Sequence, residues 1–275
     1  MIDPNFPAPF LRALTNDSYD NGGSDFSVTG LLQPPQITFL AANHEPKETS
    51  VYASYAALMG TTIHTLLESH ADPEQGEVPE RRFFVEMEGL KISGCVDLYE
   101  ENKKKIADWK FVGGHMEEIK EPYRLQLHMN GYLAEENGVE VEEVELVVIQ
   151  RDWSYMRSQF SADYPKSPYK RFNYKYDRDL AIYTFGSRLA EHIDAKQGNP
   201  RPCTPAEQWR DPTRYAVKKP ANKRARKLFD TREEATMDKK TGEIIEVREG
   251  EATFCQSFCK YSHVCPQYLK ESEGN

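Results

Sequence analysis

The sequence predicts an α/β protein: a mixed central sheet flanked by helices, with a C-terminal extension organised around cysteines. Three observations predict it. Between residues 52 and 152 the apolar period changes from helical to alternating and back. The order of the resulting elements is helix, three strands, helix, strand, which suits one mixed α/β core. Four of the five cysteines fall after residue 200, in a segment of different composition.

Each element has its own reason. Residues 1–26 are expected to be poorly ordered, given their prolines and the polar stretch Asn16 to Asp25 with its Gly22-Gly23 pair. Ser27 and Thr29 are candidate caps of a short helix that Pro34-Pro35 interrupts or ends. Tyr52 to Ser69 reads as a helix, because Tyr55, Leu58, Ile63, Leu66 and Leu67 recur at helical spacing. Arg82 to Glu88, Leu90 to Tyr99 and Lys104 to Val112 read as strands, with Glu100 to Lys103 as a hairpin loop. Glu121 to Glu136 reads as a helix that tolerates Pro122 in its first turn and stops at Asn137-Gly138. Val144 to Asp152 is a valine-rich strand suited to a sheet interior. A tyrosine-rich segment, Tyr155 to Tyr176, precedes a helix over Asp177 to Lys196. The chain therefore divides into a core over 27–196 and an extension over 197–275 that packs on it.

Composition narrows the function. At 39% hydrophobic and 29% charged residues, the chain reads as a soluble globular protein. No apolar run is long enough to cross a bilayer, and no basic-then-apolar leader opens the chain. A cytoplasmic setting follows, where clustered thiols more often bind metal than form disulfides. The net charge of −9, from 44 acidic and 35 basic residues, argues against a generic DNA-coating protein. It leaves room for a local basic groove.

The chemistry centres on Gly94-Cys95-Val96-Asp97, then ten residues, then Asp108-Trp109-Lys110. Alternation along a strand turns Asp108 and Lys110 to the same side, and a hairpin brings Asp97 beside Asp108. Two carboxylates about 4 Å apart repel by roughly 4 kcal/mol at an effective dielectric of about 20. A divalent cation such as Mg²⁺ or Mn²⁺ offsets that repulsion. The lysine can orient or help deprotonate a bound water for attack on a phosphodiester. Asp-x-Lys alone is a weak motif, and a solvated hairpin with surface charges is the plain alternative. The flanking Ile106, Ala107, Trp109, Phe111 and Val112 count against it, since they suggest a strand inside a sheet, where unpaired charge is costly. Upstream, Gly60-Thr61-Thr62-Ile63-His64 lies on the first long helix. Downstream, Tyr123-Arg124-Leu125-Gln126 opens the next one.

This ordered set resembles the RecB-like and exonuclease V-like branch of the PD-(D/E)XK nuclease superfamily, which includes Fe–S nucleases and many phage nucleases. The resemblance spans roughly residues 27–152, and Ser27 to Leu32 with Pro34-Pro35 is similar to the N-terminal helix of phage-type members. It implies a restriction-endonuclease-like fold and a Mg²⁺- or Mn²⁺-dependent deoxyribonuclease, an exonuclease by preference, working on DNA with recombination or replication proteins in a bacterial or infected-cell cytoplasm. His64, Asp97, Asp108 and the carbonyl of Trp109 would ligate the metal. Lys110 would act on the water, Gln126 would position DNA or active-site groups, and Tyr123 would lie nearby. The family's helix usually carries Gln-x-x-x-Tyr, and here Asn130 holds the tyrosine's place.

Cys255, Cys259 and Cys265 form a compact thiol cluster, with Cys203 about fifty residues earlier. Four thiolates suit Zn²⁺ or a 4Fe–4S cluster. Three close cysteines and one remote one are similar to the Fe–S nucleases, with Cys203 replacing a cysteine those enzymes carry before the core. Such a site would pin the extension and contribute folding energy. Cys95 reads as a small packing residue. Lys218, Lys219, Lys223, Arg224, Arg226 and Lys227 are either a solvated face or a phosphate-tracking strip. Tyr155, Tyr164, Tyr169, Tyr174 and Tyr176, with Arg157, Lys170, Arg171 and Lys175, could stack on unpaired bases, with core packing the alternative for most of them. Two rival functions are a catalytically silent DNA-binding or assembly protein on a nuclease fold, and an interaction module whose purpose is the thiol–metal tail.

Overall fold

The computed structural model describes residues 7–15, 21–47 and 51–273. In chain order its helices are α1 (Ala8–Thr15), α2 (Val28–Leu31), α3 (Pro35–Asn43), α4 (Val51–Glu68), α5 (Glu121–Glu136), α6 (Tyr155–Phe160), α7 (Arg178–Lys196), α8 (Arg232–Asp238), α9 (Thr253–Ser257) and α10 (Pro266–Glu273). The strands are β1 (Phe26–Ser27), β2 (Glu77–Met87), β3 (Leu90–Glu100), β4 (Lys105–Val112), β5 (Glu143–Gln150), β6 (Tyr169–Lys175), β7 (Arg214–Lys218), β8 (Lys227–Phe229) and β9 (Ile244–Arg248). No described helix is long and apolar enough to cross a membrane.

Two compact units emerge: residues 1–33 with 49–199, and residues 34–48 with 200–275. The first is a mixed α/β unit with a six-stranded sheet, order β1-β3-β4-β5-β6, with β2 on the other edge of β3. β2–β3, β3–β4 and β5–β6 are antiparallel, while β4–β5 and β1–β3 are parallel. The parallel β4–β5 pair needs a crossover, and α5 supplies it. The helix packs on β2, β3, β4, β5 and α7. Its buried Leu127, Met129 and Leu133 join Ile92, Ile106, Leu146 and Phe185 in one core. Gly94 on β3 makes that approach possible. A Cβ there would meet Asn130 Oδ1 at 2.4 Å and Leu133 Cδ1 at 2.6 Å.

β3 holds the feature on which the site depends. β2 covers one of its edges from Leu90 to Glu100. On the other edge β1 pairs with Ile92 and Ser93, and β4 pairs only with Leu98 to Glu100. Residues 94–97 therefore have no strand partner on that edge among the described residues.

Three expectations are corrected. In the N-terminal segment, residues 1–6 and 16–20 lie outside the described residues, but Ala8–Thr15 is helical and 21–25 is a tied turn. There the Asn21 side chain accepts from Gly23 N and donates to Ser24 O, and Ser24 Oγ meets Ser93 Oγ at 2.8 Å. Gly22 and Gly23 allow it by taking φ of 67° and 66°. The short helix capped by Ser27 does end before Pro34-Pro35, and Pro35 then starts α3, because a proline at the first helical position loses no hydrogen bond. Second, α3 groups with the tail rather than with the 27–196 core. Third, the tail has more regular structure than its weak periodicity suggests: a three-stranded sheet, order β8-β7-β9, around buried Ala216 and Val217. Such short strands carry too few residues for an alternation signal.

Candidate active site

β3 and β4 part company at Leu98↔Ala107, the last pair of their ladder. One step further along, Asp97 and Asp108 flank the opening. Asp97 does not drift free: its Oδ2 accepts the Trp109 N–H at 2.7 Å. Trp109, expected to offer its carbonyl, thus also fixes one candidate ligand through its amide. Asp108 is almost fully buried. Its Oδ1 accepts from Gln126 Nε2 at 3.1 Å. Its Oδ2 has Lys110 Nζ at 2.5 Å but accepts no hydrogen bond of good geometry. A buried carboxylate oxygen left in that state has lone pairs available for another ligand.

Lys110 and Asp108 stand two apart on β4 and share a side, as alternation requires. The Lys110 ammonium also lies 5.5 Å from the centroid of the Tyr123 ring. Burial pulls the lysine's pKa down, but the Asp108 carboxylate more than offsets it and the net shift is upward. Burial pushes the Asp108 carboxyl up, against the pull of Lys110.

α4 brings His64 to the same place, with Nδ1 at 3.4 Å from Asp97 Oδ1. Contact with Asp97 raises the His64 pKa, with burial acting the other way. The cleft so formed has a volume of about 400 Å³, and His64, Asp97, Asp108, Lys110, Gln126 and Asn130 are among its lining residues. Asn130 Nδ2 donates to Cys95 O at 3.3 Å, while its Oδ1 is buried without a partner. In the tyrosine's place the asparagine therefore braces β3 at its uncovered edge.

Sequence reasoning misses Glu80. The alternation pattern starts its strand at Arg82, which leaves Glu80 in a loop. In the structure β2 begins at Glu77, and Glu80 stands across from Asp97 between the pairs Pro79↔Leu98 and Arg81↔Val96. Its φ of 47° breaks the ladder at that residue. Such a backbone costs on the order of 1–3 kcal/mol in a non-glycine residue, and strain of this kind gathers at functional sites. His64, Glu80 and Asp97 place ligand atoms within 4.8 Å of one another, a set that could hold a metal ion. Burial, then the Asp97 charge, raises the Glu80 pKa. The available signal was register: the residue facing Asp97 across the β2–β3 hairpin is an acid. Cys95, read as a packing residue, lines the cleft and donates its S–H to Glu80 Oε2 at 3.4 Å.

In the second unit the four tail thiols are free of disulfides, with Cys255, Cys259 and Cys265 buried. Gln267 clasps Cys203, accepting from its N–H at 2.8 Å and donating to its carbonyl at 3.0 Å. Burial, followed by the charges of Glu207 and the other three sulfurs, pushes the Cys203 thiol up to about 12. Among the described residues, no three of these sulfurs lie within 4.8 Å of one another. A tetrahedral zinc site has sulfurs about 3.8 Å apart, from Zn–S bonds of about 2.3 Å. Of the six residues of the basic run, Lys218 pairs with Glu246, Arg226 with Glu243 and Asp238, and Lys227 with Asp238 at 3.7 Å. Lys219, Lys223 and Arg224 are exposed. Half of the run is thus committed to carboxylates.

No family model matches the chain, and no curated protein matches it. Among solved structures, the crystal structure of SSO0001 superposes with a TM-score of 0.48 at 20% identity, covering 73% of this chain and 88% of that one. A phage-related exonuclease from Haemophilus somnus 129PT superposes with a TM-score of 0.36 at 14% identity, covering 60% of this chain and 94% of that one.

Proposed function

We propose that this protein is a divalent-metal-dependent deoxyribonuclease of the PD-(D/E)XK type, an exonuclease acting in DNA recombination, replication or repair as phage-type enzymes do. One observation carries the reading: Asp97, Asp108 and Lys110 converge at the point where β3 and β4 separate, with Gln126 on Asp108 and His64 on Asp97. A structural ion cluster has no need of a cleft, a buried carboxylate beside a lysine and a strained neighbour together.

His64, Glu80, Asp97 and Asp108 are the groups that would hold Mg²⁺ or Mn²⁺, and the imidazole tilts the preference toward Mn²⁺. Such a cation, when bound, would supply a lowered pKa for its water and positive charge against the phosphate. Lys110, fixed by Asp108 and the Tyr123 ring, orients the attacking water and stabilises the negative phosphoryl oxygens. The water oxygen forms a new P–O bond, the bond to the leaving sugar oxygen breaks, and the water proton ends on that oxygen. Gln126 holds Asp108 in the rotamer this requires.

For the tail, Cys203, Cys255, Cys259 and Cys265 would bind a 4Fe–4S cluster rather than Zn²⁺. The spacing along the chain, three close cysteines and one remote one, supports the cluster.

The test is cleavage of end-labelled single- and double-stranded DNA with Mg²⁺ or Mn²⁺. Cleavage should vanish with chelator, and Lys110→Ala should lower it about 10²–10³-fold. Full cleavage by that variant would sink the mechanism. Visible absorption with iron and sulfide analysis tests the tail, and one zinc with no sulfide would refute the cluster.

A further inference from the structure

The helix that brings His64 to the cleft is the least anchored of the long helices. α5 buries eight of its 16 residues and α7 six of its 19, and both contribute to the apolar core. Of the described side chains of α4, residues 55–68, none is buried. Tyr55 and Leu66 are exposed at 50% and 52%. Among the described residues, no apolar side chain of α4 belongs to the core cluster or packs against it. Local propensity does not make up the difference. Gly60, Thr61 and Thr62 are weak helix formers in mid-helix. A helix in a protein owes most of its stability to a packed apolar face. An element with few buried apolar contacts is one that opens on its own.

The polar attachments of α4 say what closes it. Among its described side chains, the polar contact that reaches the sheet is His64 Nδ1 to Asp97 Oδ1 at 3.4 Å. Burial and the Asp97 charge raise the Glu80 pKa, and the charge of Glu68, one turn beyond His64 on α4, raises it further. Carboxylates so gathered repel one another. The groups that could share a metal ion come from three elements: His64 from α4, Glu80 from β2 and Asp97 from β3. β2 and β3 are already joined by their ladder, so α4 is the element that such a ligand set would fasten. Gly60, Thr61 and His64 also line the cleft. One helix is therefore both wall and ligand donor.

We propose that α4 is a metal-latched wall of the cleft: it opens and recloses in the metal-free protein, and the joining of His64 to Glu80 and Asp97 through a divalent cation holds it shut. This rests on the metal-binding reading of the site and adds a means of regulating it. The cleft is complete only while the latch is closed, so metal supply sets the fraction of molecules with a finished site.

The test is hydrogen exchange on the full chain, with α5 and α7 as internal references. Without metal, amides of residues 55–68 should exchange about tenfold or more faster than those of 127–134. Mn²⁺ held only by the closed form multiplies protection by 1 + [Mn²⁺]/Kd. At ten times the Kd found by calorimetry, exchange in α4 should therefore slow about tenfold, and in α5 and α7 less than about twofold. His64→Gln should abolish the slowing while α5 and α7 keep native protection, which shows that the variant is folded. Glu80→Gln, which leaves α4 untouched, should move the slowing to higher Mn²⁺. An α4 as protected as α5 without metal overturns the latch. So does Mn²⁺ that binds by calorimetry with exchange in α4 unchanged, or a slowing that survives His64→Gln. In those cases the metal site stands and only the latch falls. If calorimetry finds no Mn²⁺ bound, the metal reading fails and takes the latch with it.

Discussion

The two compact units hold their reactive side chains in opposite ways. In the first, His64 rides on an 18-residue helix, and Asp97 and Asp108 ride on paired strands over a shared apolar core. In the second, the thiols sit on or beside short elements: α9 has five residues, the turn before Cys265 three and α10 eight. There polar clasps such as Gln267 on Cys203, and the Arg210–Glu271 pair, take the place of a broad core. Carboxylates that repel one another must be forced together by a fold that is stable without them. Thiols that share a metal supply the fold themselves.

The contrast is sharpest at the proposed thiol cluster of the second unit. Cys255→Ser should remove iron and sulfide and cost several kcal/mol, since such sites contribute on the order of 10 kcal/mol to small domains. In hydrogen exchange, peptides from residues 200–273 should lose protection while those from 77–150 keep theirs. Unchanged protection in the tail would end the claim that its thiols are structural.

In the first unit, removal of a proposed ligand should spare the fold and weaken metal binding. Glu80→Gln should lower Mn²⁺ affinity about tenfold or more by calorimetric titration, with no loss of melting temperature. Unaltered affinity would remove Glu80 from the site. A pH effect accompanies it. The His64 pKa is raised by Asp97, so in metal-free protein that pair stabilises fully below the unfolded value of about 6.5. The contribution fades as pH rises through the higher folded value. A metal must displace that proton, so Mn²⁺ affinity should climb over the same range. His64→Gln should flatten the climb, and an equally steep profile in that variant would assign the proton elsewhere.

The smallest effect tests the link between core and cleft. Gly94→Ala forces a methyl against Asn130 and Leu133. Overpacking of this kind costs about 1–3 kcal/mol, or roughly 3–10 °C in melting temperature. Cleavage should fall as well, because the displaced helix carries Gln126. A drop in stability with full activity would separate α5 packing from catalysis.

Much of the first unit was legible in the sequence, for a physical reason. α5 begins and ends at Glu121 and Glu136 because a first-turn proline and an Asn-Gly stop are local signals. The Asp97–Asp108–Lys110 constellation follows from strand alternation and one short hairpin. β6 and α6 escaped, because Tyr169 to Lys175 mixes aromatic and basic residues on both faces without a clean apolar alternation and α6 buries a serine. Glu80 escaped because a left-handed residue breaks the alternation that would have announced its strand. The β7–β9 sheet lies below what periodicity can detect, with strands of three to five residues.

The early parting of β3 and β4 has a consequence for what sequence change the protein can bear. In an antiparallel ladder the next pair after Leu98↔Ala107 would be Asp97↔Asp108. Continuing the ladder past that point would give the Trp109 N–H a backbone partner in place of Asp97 Oδ2 and narrow the gap between the two strands. Mutations that favour a longer, more regular hairpin should therefore make a sturdier protein with Asp97 released from its anchor and a narrower cleft.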